Sequence, residues 1–177
     1  MLLRIYKCIG VGILLVLAGC STRHQVRILD YLKDKPAAVF VFLAPDCPLS
    51  QSYTLTLNNL RTQFQASGME FYAVFEADAG VDDFVPTYKL TLPVIRDRDS
   101  RLADFFGAMK TPEVFAVDST GKLFYKGAID NWAPELGQHR SVITERYLLN
   151  ALNALLQHKD IPVKETKAVG CFIERRG

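Results

Sequence analysis

The sequence predicts an α/β fold: a mixed β-sheet covered by helices on both faces. Three observations predict it. A near-continuous apolar run, Ala37 to Ala44, gives way at Cys47 to a helical spacing of apolar residues, the mark of a buried strand turning directly into a helix. Strand-like and helix-like segments then alternate as far as Gly107, which implies parallel pairing through crossover helices. Finally, two β-rich segments flank Ser119-Thr120-Gly121, the pattern of an antiparallel hairpin.

Each element follows from its residues. A polar linker around Ser21 to Gln25 precedes a short helix or strand ending near Leu32. After the strand Ala37 to Ala44, Tyr53, Leu57, Leu60 and Phe64 recur at intervals of four, three and four and place one apolar face on a helix that stops at Gly68. Met69 to Glu76 is the second strand. Val81 to Leu90 is a helix strained or broken by Pro86, because proline removes a backbone donor and crowds the preceding turn. Pro93 to Arg96 forms a third strand, and Ser100 to Gly107 a helix that Gly107 is suited to end. Glu113 to Asp118 and Lys122 to Gly127 make the hairpin, with Gly121 tolerating a positive φ. The last helix is expected from about Ser141 to Gln157, with Ile143, Tyr147, Leu148, Ala151, Leu152 and Leu155 on its inner face. A tail, 158 to 177, carries Cys171.

Composition narrows the function classes. The chain of 177 residues is 49% hydrophobic and 23% charged, an ordinary folded composition. Of 21 Lys and Arg, two, Arg4 and Lys7, lie in the first 19 residues, leaving 19 cations against 19 Asp and Glu in the remainder. A neutral domain without a clustered basic patch excludes nucleic acid as a partner. Residues 1 to 19 follow a signal-peptide plan: cationic start, apolar run from Ile9 to Leu17, small residues before Cys20. That run is shorter than the about 20 residues a simple membrane span requires.

The tetrapeptide Leu17-Ala18-Gly19-Cys20 resembles the lipobox of bacterial lipoproteins. The resemblance implies lipidation of Cys20 and a membrane anchor through it, with 20 to 35 as anchor and linker. It places the domain in the cell envelope facing the periplasm, and Ser21 after Cys20 implies the outer membrane in a Gram-negative cell. With Cys8 in the signal and Cys20 lipidated, Cys47 and Cys171 are the two thiols left, in a compartment where disulfides form and persist.

Phe42-Leu43-Ala44-Pro45-Asp46-Cys47-Pro48-Leu49-Ser50 resembles the active-site turn of the thioredoxin-like superfamily, with Cys47 on the attacking cysteine. Thr111-Pro112 resembles the Thr-Pro of that superfamily, whose proline is cis and faces the nucleophile. The stretch from Pro93 to Gly127 is similar to the redoxin group, which includes peroxiredoxin-like proteins and membrane-tethered thiol-disulfide oxidoreductases. The resemblance implies a thioredoxin-like redoxin domain over about residues 36 to 157 and no cofactor. Gly170-Cys171 resembles a tail seen in some redoxin-domain proteins. Two departures bear on activity. Ser50 replaces the second cysteine of C-x-x-C, removing the local resolving thiol. Ala44 and Phe40 stand where peroxiredoxins place a Thr or Ser and a Pro, which counts against peroxidase activity.

A cysteine at a helix N-terminus meets unpaired N–H groups and the positive end of the dipole, which favour thiolate. Pro48 suits the first helical turn, where its missing N–H costs nothing. Asp46 opposes ionisation if its charge points inward, Ser50 can donate to the sulfur, and, if the Thr111-Pro112 bond is cis, the backbone beside it can align an extended substrate against Cys47. The sequence leaves Cys47 as reactive thiolate or inert buried thiol, and Cys171 as resolving thiol, static disulfide partner or spare thiol. His139 with both cysteines lacks metal-ligand spacing, so no metal site is assigned. The expected activity is an extracytoplasmic thiol-disulfide oxidoreductase acting on a disulfide- or thiol-bearing protein or small oxidant. The alternatives are a peroxiredoxin-like antioxidant and a non-enzymatic lipoprotein binding a protein or metal.

Overall fold

Apolar residues alternate across β1 (Ala37–Phe42), and both sets are buried, so this strand must be covered on two sides. In the computed structural model, which describes residues 26 to 173, it lies at the centre of a five-stranded sheet. The strand order is β3 (Val94–Arg96), β2 (Glu70–Phe75), β1, β5 (Glu113–Asp118), β6 (Leu123–Gly127). β1, β2 and β3 are parallel, with Phe40 opposite Tyr72 and Val74 opposite Ile95. β5 is antiparallel to both β1 and β6. This is the mixed sheet of a thioredoxin-like fold.

Ala37, Val39 and Val41 face a core that includes α2 (Pro48–Phe64), α3 (Val81–Thr87) and α5 (Tyr147–Leu156) through Leu57, Phe84, Leu148 and Leu152. Ala38, Phe40 and Phe42 face a second core closed by Ile28 of α1 (Ile28–Tyr31) and Leu102 and Ala103 of α4 (Arg101–Phe106). The predicted inner face of α2 is buried as expected, and Gly107 ends α4 at φ 70°.

Two boundaries depart from the sequence reading. α3 keeps Pro86 inside its last turn and stops at Thr87, with Leu90 N donating to Val85 O beyond it. α5 begins at Tyr147 rather than near Ser141. The Asn131 side-chain oxygen accepts from Thr144 N and Glu145 N, both 3.1 Å, and Asn131 N donates to Glu145 O at 3.0 Å, so these backbone groups are committed to a loop. Ile143 therefore lies outside the helix.

The segment after α5 folds back on the domain. Lys126 N donates to Lys164 O and Thr166 N to Lys126 O, each at 3.0 Å, which lays residues 164 to 166 along β6. Thr166 Oγ1 bonds Tyr125 Oη at 2.8 Å and accepts from Ala128 N at 2.9 Å. Gly127 permits this contact: a Cβ there would meet Thr166 O at 2.1 Å. The chain then forms β7 (Cys171–Phe172), antiparallel to β4 (Lys110–Thr111). Among the described residues no helix is long and apolar enough to cross a membrane. Cys20 and the signal-peptide segment lie outside the described residues.

Candidate active site

Cys47 is the residue from which α2 starts, with extended backbone (φ −84°, ψ 114°) and Pro48 in the first turn. Because β1 ends beneath it, the side chain is fully buried in a small apolar cluster with Leu49 and Ala133, bordered by Ala44, Trp132, Val169 and Cys171. Its thiol donates to Thr111 O at 3.0 Å. The Thr111-Pro112 bond is cis, and both residues are buried.

The tail supplies the remaining sulfur. Cys171 pairs with Thr111 in the β4–β7 ladder, and the two cysteines interact directly while both remain free thiols. The approach depends on Gly170, since a Cβ there would meet Thr111 O at 2.0 Å. Lys110 places its ammonium 3.4 Å from the centre of the Phe172 ring and so also holds β7.

The electrostatics separate the two thiols. Burial pushes the Cys47 thiol up, but hydrogen bonds from the Cys171 side chain, the backbone N–H groups of Ser50 and Cys171, and the Thr111 side chain outweigh it, and its pKa falls below the ordinary value. With the thiol protonated, Thr111 Oγ1 is buried and makes no hydrogen bond; it donates only once Cys47 is a thiolate, which is how it contributes to the lowered pKa. Burial, then the hydrogen bond to Cys47, then the nearby charges of Cys47 and Asp46 raise Cys171 to about 11.

The structure thus brings Cys47, Pro48, Ser50, Thr111, Pro112 and Cys171 into one site. Ser50 acts differently from expectation: its hydroxyl accepts from Ala44 N at 3.2 Å, and only its backbone N–H serves the sulfur. Asp46 points to solvent and weighs on Cys171, not Cys47. His139 stacks on Trp132 at 5.4 Å, and among the described residues no three His, Cys, Asp or Glu side chains gather as a metal site. Nothing in the sequence singles out Asp130 as part of the site. It is buried and accepts from Tyr53 Oη at 2.6 Å and from the Trp132 backbone N–H at 2.9 Å, and the Tyr53 ring meets the indole edge-to-face at 5.4 Å beside the Cys47 cluster. Its position after a strand, next to Asn131, carries the same signal as any turn aspartate.

A family profile described as the AhpC/TSA family matches residues 17 to 126, more than half of the chain. The chain belongs to the AhpC/TSA family. Thiol-disulfide oxidoreductase ResA of Bacillus thuringiensis subsp. konkukian is 27% identical to this AhpC/TSA chain over 117 residues, 64% of this chain and 68% of the relative. A hypothetical protein of Sinorhizobium meliloti 1021 has a similar structure, with a TM-score of 0.73 and 26% identity over 84% of this chain and 85% of that one. A putative thiol:disulfide interchange protein DsbE from Chlorobium tepidum, at 17% identity, shares the fold with a TM-score of 0.54 over 73% of this chain and 83% of that one.

Proposed function

We propose that this protein is an extracytoplasmic thiol-disulfide oxidoreductase, held at the membrane by a lipid on Cys20, that uses Cys47 as nucleophile and Cys171 as resolving thiol. The observation that carries the reading is the apposition of two free cysteines of opposite acidity across Thr111. The ResA relative, a thiol-disulfide oxidoreductase, supports the same chemistry.

The Cys47 thiolate attacks one sulfur of a substrate disulfide, forming a mixed disulfide and expelling the other half as a thiolate that takes a proton from solvent. Cys171, giving up its proton, attacks the Cys47 sulfur, expels the remaining substrate thiolate and closes a Cys47–Cys171 bridge. Both substrate sulfurs leave reduced and the protein is left oxidised by two electrons. Because Cys47 is wholly covered, its cover, which includes Cys171 of β7 together with Trp132 and Ala133, must open for a protein disulfide to reach it. Pro48 fixes the turn, Ser50 N–H and Thr111 stabilise the thiolate, and the Thr111-Pro112 backbone aligns the substrate.

AhpC/TSA membership favours a second reading, peroxide reduction. A peroxide would oxidise Cys47 to sulfenic acid, releasing an alcohol or water, and condensation with Cys171 would give the same bridge and one water. Ala44 and Phe40 leave that reading without the residues expected around a peroxidatic cysteine.

Differential alkylation and peptide mapping of the mature protein, before and after reductant or peroxide, test both. The disulfide reading expects a reversible Cys47–Cys171 bridge and, in C171S, a substrate adduct trapped on Cys47. A Cys47 that never forms a disulfide or sulfenic acid overturns the enzyme assignment. Bridge formation by peroxide but not by disulfides moves the protein to the second reading.

A further inference from the structure

The two sulfurs are not equally open to solvent. A cleft of about 1010 Å³ runs along the C-terminal end of β1 and β2, and Cys171 and Thr111 line it while Cys47 does not. Its floor is apolar, with Phe42, Val74 and Phe84. Its charged lining comprises Asp46, Glu76 and Asp83 against one cation, Arg98, whose guanidinium is already paired with Asp78 at 2.6 Å. Asp46 lies close enough to Cys171 to act on it electrostatically.

We propose that this cleft admits the reductant of the oxidised pair, a thiol carried on a positively charged molecule or segment, and that it attacks Cys171 rather than Cys47. The inference rests on the redox-pair reading and adds the half-reaction that regenerates it. The incoming thiolate bonds to the Cys171 sulfur, the Cys47–Cys171 bond breaks, and Cys47 leaves as the thiolate, stabilised by Ser50 N–H and Thr111. A second thiol of the reductant then attacks the reductant sulfur of this mixed disulfide, forming the oxidised reductant and releasing Cys171, which takes up a proton. Two electrons pass to the protein and one disulfide leaves. The exchange follows the usual preference for expelling the more acidic thiol, and it takes place at the cysteine that lines the cleft. An acidic rim raises the local concentration of a cation and lowers that of an anion.

The test uses the oxidised mature protein with cysteamine, a cationic monothiol, and 3-mercaptopropionate, an anionic one, each rate corrected for its thiolate fraction. Acid quench, alkylation and peptide mapping locate the first adduct. The expected result is an adduct on Cys171 with Cys47 alkylated, and a cysteamine-to-mercaptopropionate rate ratio that drops about three- to tenfold in the double variant D46N/D83N, the scale of two surface charges acting through solvent. An adduct on Cys47, or a ratio identical in parent and variant, overturns the inference while leaving the redox pair intact. A protein that contains no Cys47–Cys171 bridge after oxidation fails at the first step and removes the underlying reading instead.

Discussion

Cys47 and Cys171 belong to one cluster, yet the regions that deliver them are built on different principles. The Cys47 turn is held by the core: β1 is buried on both faces, α2 contributes Tyr53, Leu57, Leu60 and Phe64 to that core, and the cysteine sits where the two join. The Cys171 region is held mainly by backbone pairing and close contacts, through Thr166 on β6 and a two-residue ladder on β4. A nucleophile needs a fixed environment to lower its pKa, whereas a thiol that must alternate between partners needs a mount that can let go.

The sharpest way to break this comparison is to remove each sulfur in turn. C47S is expected to lose at least a thousandfold in disulfide-reduction turnover. C171S is expected to lose turnover as well while still forming one equivalent of mixed disulfide on Cys47, measured by mass spectrometry with a model disulfide. Equal single-turnover yields in the two variants would erase the distinction.

G170V tests the mount. Its side chain would collide with the Thr111 carbonyl, so β7 should detach. We expect alkylation of Cys47 to quicken at least tenfold and the yield of the Cys47–Cys171 bridge to fall, with the thermal transition of the core retained. Unchanged alkylation would show that β7 is not what covers the sulfur.

Titration separates the thiols without mutation. Labelling by iodoacetamide, mapped peptide by peptide, should show Cys47 reacting with a midpoint below the ordinary thiol value of 9.0 and Cys171 with one near 11. The stability consequences have opposite signs. A lowered Cys47 pKa stabilises the fold above the unfolded value, an effect lost as pH falls through the folded pKa. A raised Cys171 pKa makes stability fall as pH rises from about 9 to about 11. T111V should move the Cys47 midpoint upward by removing the hydroxyl that donates to the thiolate, with the Cys171 peptide as internal control. The smallest effect is expected of T166V, about 1 kcal/mol in denaturant unfolding, from lost hydrogen bonds to Tyr125 and Ala128.

What the sequence made legible follows the same division. The β1 to α2 turn could be read because a buried strand and an amphipathic helix both leave periodic signals around Cys47. The ladder joining Thr111 to Cys171 could not, since it spans two residues per strand, joins segments far apart in the chain, and has no periodicity. Nor does sequence say which atom of Ser50 faces the sulfur, because hydroxyl and N–H lie within one residue and the choice is made by Ala44 N–H. The start of α5 was misplaced because Ser141 to Glu145 suits a helix until Asn131, ten residues upstream, takes its backbone donors.

Residues 164 to 166 have a role that does not depend on redox chemistry. An open edge strand exposes unpaired N–H and C=O groups and invites another chain to add to the sheet. Here β6 is sheathed along Lys126 by the protein's own tail, while the opposite edge, β3, is three residues long, preceded by Pro93 and ended by Arg96, which is engaged by Asp78 and Asp82. A chain clipped after α5 would lose its second thiol and, in the same stroke, acquire a sticky margin, coupling loss of the tail to self-association.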